Sequence, residues 1–177
     1  MDADGPALME CERETVRGEP PVENPERLVR VALNPNHIFK AKEGDNRVKP
    51  SAFPESHLLE NRLSVTRAER AGPQLLDEVV KAIVASFTPK QELEACLVLT
   101  AAAFRESNCS THERCLAVVP YPMEASDPHP ANPAHAHVGC AIPIAREDLK
   151  ELREQLVKRS QLCPSPAAVF ETEAPSE

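Results

Sequence analysis

The chain has 177 residues, with 28 acidic against 20 basic side chains, a formal net charge of −8 and a pI near 5.3. Its length fits one domain of roughly 100–200 residues with short extensions. The acidic balance opposes attraction to phosphate backbones and anionic lipid, so neither nucleic acid nor membrane is an expected partner.

Aromatic residues make up 3% of the chain, which leaves Leu, Val, Ile and Ala to build the core and few rings to stack on bases. No apolar run approaches the roughly 20 residues that span a bilayer. The acidic start MDADGPALMECERE lacks the basic patch and apolar block of a secretory leader. A cytoplasmic location is therefore expected. The six cysteines, none of them in a C-x-x-C pair, would stay reduced there.

Residues 1–24 are rich in Glu, Pro and Gly without apolar periodicity and read as a flexible acidic tail. A single globular domain is expected over 25–160. From Glu26, ERLVRVAL alternates as a strand, with Leu28, Arg30 and Ala32 on one face and Val29, Val31 and Leu33 on the other. Asn34-Pro35-Asn36 stops it. An irregular stretch follows, with a turn at 43–46 and with Phe53 pinning a loop between Pro50 and Pro54. Residues 61–69 carry Leu63 and Val65 at strand spacing.

Pro73 suits the first position of a helix over 73–87, where its missing N–H costs nothing. Leu75, Leu76, Val79, Val80, Ile83, Val84 and Phe87 make one apolar stripe on it, and Thr88-Pro89 ends it. Segments 92–105 and 115–119 read as two strands of a hairpin. Residues 134–142 form a further strand, and 146–159 an amphipathic helix with acids early and bases late, as the helix dipole prefers. Residues 161–177 read as a second flexible tail. The pattern predicts an α/β chain of the α+β type, a mixed, mostly antiparallel sheet of about five strands covered by two main helices.

Chemistry concentrates in SDPHPANPAHAHVGCAIP, residues 126–143. Strand alternation puts Ala134, Ala136, Val138, Cys140 and Ile142 on the core face. His135, His137, Gly139 and Ala141 then lie on the other face, turned to solvent. Two imidazoles at i, i+2 can chelate one metal or serve as acid and base. Asp127 and His129 lie upstream in a loop held by Asn132-Pro133, and Asp127 is the expected neighbour of His135. The plain alternative is the solvated face of a half-buried strand. The turn CSTHERC spaces Cys109, His112 and Cys115 as C-x2-H-x2-C, a zinc-compatible pattern, yet free cysteines are more often buried core residues. There is no Gly-rich phosphate loop and no G-x-S-x-G elbow. Ser64 carries no local sign of activation.

Ser51-Ala52-Phe53-Pro54, then Leu63-Ser64-Val65, then Asp127-Pro128-His129-Pro130 and Asn132-Pro133-Ala134-His135-Ala136 occur in that order. The pattern resembles a set of uncharacterised small bacterial proteins that pair an S-x-AF … LSV region with a late NPAHA or PSHA strand. The resemblance carries no activity. It implies one compact unit in which the Phe53 loop, the LSV strand and the His135 strand meet, and it favours His135 over His137.

The expected function is that of a small accessory or binding protein recognising a protein partner or small ligand through the loop–strand 127–137. His135, His137, Asp127, His129, Asn132 and Phe53 are its candidate binding residues. The alternative is a hydrolase or transferase, metal-assisted or not, with His135, Asp127 and Ser64 as catalytic candidates. No cofactor is required by the pattern. Zinc on His135 and His137 is the one metal it could hold.

Overall fold

The computed structural model describes residues 6–41, 45–87, 92–110 and 112–171. The Thr88-Pro89 stop and the first half of the 43–46 turn lie outside them. Strand β1 (Arg27–Asn34) is central, with Leu28 and Ala32 buried on one face and Val29 and Leu33 on the other. It is followed by a two-stranded ribbon, β2 (Ile38–Phe39) and β3 (Arg47–Val48), then helix α1 (Glu55–Leu59) and strand β4 (Leu63–Arg67). Helix α2 (Ala68–Ala85) is broken near its start by Gly72, whose φ of +68° is a left-handed value that a side chain would resist. Pro73 then opens the long straight part, as its position predicts.

Strand β5 (Glu92–Thr100) runs directly into helix α3 (Ala101–Arg105), where the Thr100 hydroxyl caps the Ala103 N–H. Strands β6 (Leu116–Pro120) and β7 (His135–Cys140), helix α4 (Arg146–Arg159), strand β8 (Gln161–Cys163) and helix α5 (Ala168–Glu171) complete the order. Six strands form one sheet in the order β6-β7-β4-β1-β5-β8, and every neighbouring pair is antiparallel. This is an α+β fold.

The two main helices lie on opposite faces. Leu149, Leu152 and Leu156 of α4 pack with Phe53, Phe104, Leu63, Val65, Leu97, Leu99, Ala136 and Val138 in the larger core. Leu76 and Val80 of α2 pack with Val29, Cys96, Val98 and Cys163 in the smaller one.

Three expectations are corrected. Segments 92–105 and 115–119 do not form a hairpin, because β5 and β6 are separated by β7, β4 and β1 and the Thr100 cap turns the chain into α3. The N-terminal segment is no flexible tail from Pro6 onward. Glu12 is fully buried and accepts from Arg105 Nε (2.8 Å), Val118 N (2.8 Å) and Met9 N (2.8 Å). Arg105 in turn donates to Asn24 Oδ1 and Val22 O, both at 2.7 Å. Residues 161–171 are likewise packed, with Cys163 and Val169 fully buried, and β8 supplies the sixth strand. Residues 1–5 and 172–177 lie outside the described set.

Candidate functional site

The pairing of β1 with β4 covers only Leu28↔Arg67 and Val29↔Thr66, whereas β1 pairs with β5 along its whole length. Beyond Val29 the two strands part. The Arg30 guanidinium spans the gap, donating to Ala52 O (2.7 Å) and Ser64 O (3.0 Å). This links the Phe53 segment to the LSV strand. β7 adjoins that strand on its other side through Ser64↔His137 and Thr66↔His135.

A cavity of about 310 Å³ occupies this wedge. One wall is apolar, formed by Leu76, Val79, Val80 and Ile83 of α2 and Phe87 just beyond its end, with Val29 and Val31 of β1. The stripe expected to pack on the sheet does so only in its first half. Leu76, Val79 and Val80 are buried, Ile83 is half-buried and Phe87 is exposed, so the last turns roof the cavity. The other wall is polar, with Arg30, His37, His57, Ser64, Thr66, Asn132 and His135.

Burial of the β4–β7 side comes from the arm between β6 and β7. It continues their hairpin through the bridges Met123↔Asn132 and Ser126↔His129. His135 is consequently 5% exposed, which corrects the expectation of a solvent-facing histidine. Its Nδ1–H donates to Tyr121 O (2.8 Å), while Tyr121 N donates to His135 O (2.9 Å). A carbonyl can only accept, so Nδ1 carries the proton and Nε2 presents a lone pair. That Nε2 is buried without a partner. Burial lowers the imidazole's pKa and keeps it neutral, against the Tyr121 bond.

Asn132 donates from Nδ2 to Thr66 Oγ1 (3.1 Å), and its Oδ1 is also buried and unpartnered. So is Nδ1 of His57. Unsatisfied buried polar atoms are uncommon, and these three belong to residues lining one cavity.

His137 lies perpendicular to His135 with ring centroids 4.8 Å apart, and stacks on Tyr121 at 4.3 Å and 18°. Burial, and secondarily the neighbouring His135, pushes it down to about 4. Between pH 6.5 and 4 the unfolded chain therefore binds more protons than the folded one, so stability falls as pH drops through that window and is complete above it. Thermal melts should show this slope, and His137→Phe, which keeps the stack on Tyr121, should lessen it while leaving the share of His37, which burial also pushes down to about 4. A slope identical to that of the parent chain would reject His137 as a source of it.

Of the other candidates, His129 lines the cavity, but Asp127 is exposed in the turn closed by Ser126 and His129 and does not line it. The expected Asp127–His135 pairing is not made among the described residues. Phe53 is fully buried, edge-on to Phe104 at 6.5 Å between ring centroids, so it anchors the core, and it does not line the cavity.

Among the described residues no three His, Cys, Asp or Glu side chains are grouped to hold a metal ion. In the 109–115 turn both thiols donate to the His112 carbonyl, Cys115 at 3.2 Å and Cys109 at 3.5 Å. Burial pushes the Cys115 thiol up to about 12.

Arg30, His37 and His57 went unrecognised in the sequence. The available signal was Arg30 itself, a charge between Leu28 and Ala32 on a core-facing strand edge. Comparison with known proteins finds no matching family model, no similar curated protein and no similar solved structure. No helix among the described residues is long and apolar enough to cross a membrane.

Proposed function

We propose that this chain is a non-catalytic binding protein that holds one small, largely apolar molecule in the wedge between α2 and the parted strands β1 and β4. The observation that carries the reading is that three buried polar atoms without partners among the described residues, His57 Nδ1, Asn132 Oδ1 and His135 Nε2, belong to residues that line one cavity. Such atoms cost about 1–3 kcal/mol each unless something supplies the missing bond, and the apolar roof offers contact for the rest of a ligand. Sites of this kind combine an apolar lining with a few placed polar groups. Within the expected loop–strand 127–137, recognition rests on His129, Asn132 and His135. No disulfide joins the six cysteines, which is compatible with a cytoplasmic setting.

The test uses thermal shift with a panel of small apolar molecules, neutral and charged, on the full chain and on Ile83→Trp, which fills the roofed space. At least one compound should raise the Tm of the parent chain and fail to do so in Ile83→Trp. A panel without any such compound defeats the reading.

A second reading, a His135-dependent hydrolase or transferase, is favoured by one observation, the free Nε2 lone pair, which is the form a general base needs. It predicts turnover of small esters that His135→Gln abolishes while leaving the fold intact. No turnover above buffer removes it.

A further inference from the structure

Arg27, Arg67, Arg105 and Arg153 each face a carboxylate at 2.6–2.8 Å. Arg30 does not. Its hydrogen bonds run to the carbonyls of Ala52 and Ser64, neutral acceptors that leave the charge unbalanced, and it lines the cavity. The groups around this end add to the imbalance. Lys49 reaches the field of His37, and Arg62 that of His57, with Glu60 the one acid acting there. Glu60 is already bound by Arg62 at 2.7 Å. The ribbon end carries Lys49 over the Phe39 ring, 4.6 Å from its centroid. A chain of net charge −8 thus keeps a positive pole at the polar end of its cavity. An arginine brought out of bulk water without a carboxylate is costly, and its planar fork matches a carboxylate better than it matches two carbonyls.

We infer that the ligand is an amphipathic monocarboxylate, its head paired with Arg30 and its aliphatic chain laid along Val79, Val80 and Ile83 of α2. The inference rests on the cavity-binding reading and narrows it to one chemical class. Among the described residues that line the cavity, Arg30 is the one arginine or lysine, which favours a singly charged carboxylate over a dianionic phosphate. A volume of about 310 Å³ suits a medium-length chain, near the lower end of the roughly 300–1,000 Å³ found for small-molecule sites.

The probes are octanoate, octanol and octyl phosphate, titrated calorimetrically into the full chain, into Arg30→Gln and into Arg30→Lys. Octanoate should bind the parent chain at least about tenfold more tightly than octanol, the scale of a charge-assisted pair. Arg30→Gln should remove that preference and Arg30→Lys should keep part of it.

Equal binding of octanoate and octanol to the parent chain, or octyl phosphate as the tightest ligand, overturns the carboxylate assignment while leaving the cavity reading standing. Binding of none of the three overturns this inference, and the wider panel then decides the cavity reading separately. If Arg30→Gln does not fold, the octanoate-to-octanol ratio in the parent chain and in Arg30→Lys still decides.

Discussion

Glu12→Ala is expected to destabilise the protein by about 3–5 kcal/mol, the usual result of removing one partner from a buried ion pair. Glu12 and Arg105 are both fully buried, so the substitution strands a guanidinium where no water reaches it. It also deprives the Val118 N–H, in the middle of β6, of its acceptor at 2.8 Å. For a chain of this size the loss corresponds to a fall in Tm of about 10 °C. Urea denaturation measures it directly. Arg105→Met should cost less, because Arg114 still faces Glu12 at 3.7 Å, but it removes the closer partner of that carboxylate and the donors to Asn24 Oδ1 and Val22 O. The double variant should lose less than the sum of the two, since neither charge is then left alone. Full additivity, or a Glu12→Ala loss under about 1 kcal/mol, the level of an exposed pair, would show that residues 6–24 do not close over Arg105 as described.

Gly139→Ala is expected to cost about 3 kcal/mol or more, at the upper end for overpacking. A Cβ at Gly139 would lie 2.3 Å from Asn61 Cα and 2.2 Å from Asn61 Oδ1, and the obstacle that resists relief is the backbone. Asn61 sits at φ +53° in the tight connection from α1 to β4, so it has little room to retreat. Truncation there should not rescue the variant. Asn61→Gly in the Gly139→Ala background leaves the main chain of residue 61 in the way, and recovery of the parent Tm would show that the side chain alone was the obstacle. Because β7 also carries His135, the same shift should weaken any ligand held in the cavity.

Much of the architecture was legible because it is local. The i, i+3, i+4 stripe and the charge order placed α4 at Arg146–Arg159, Pro73 opened the long part of α2, and alternation found β1, β4 and β7. Two failures came from non-local causes. Nothing near Glu12 announces a partner 93 residues away, so an acidic segment looked solvated. Residues 161–163 become a strand only because β5 offers them an edge. The misread hairpin is different, since Thr100 before three alanines was a visible cap.

The site was half legible. Alternation correctly separated Ala136 and Val138 from His135 and His137, but it cannot say what covers the second face. The arm after Tyr121 does, and it turns an expected open surface into an enclosed wall. Arg30, His37 and His57 come from segments that only the splay of β1 from β4 brings to one cavity.

That splay leaves the sheet as two three-stranded panels, β6-β7-β4 and β1-β5-β8, meeting along a short seam. Past Val29 and Thr66 the bond across the seam is made by a side chain, from Arg30 to the Ser64 carbonyl, where a ladder would use a peptide N–H. A peptide bond cannot leave its strand, but a guanidinium can swing on its stem. A group that competed for Arg30 would therefore draw it off the Ser64 carbonyl and loosen the seam, so that filling the wedge and unfastening the two panels would be one event.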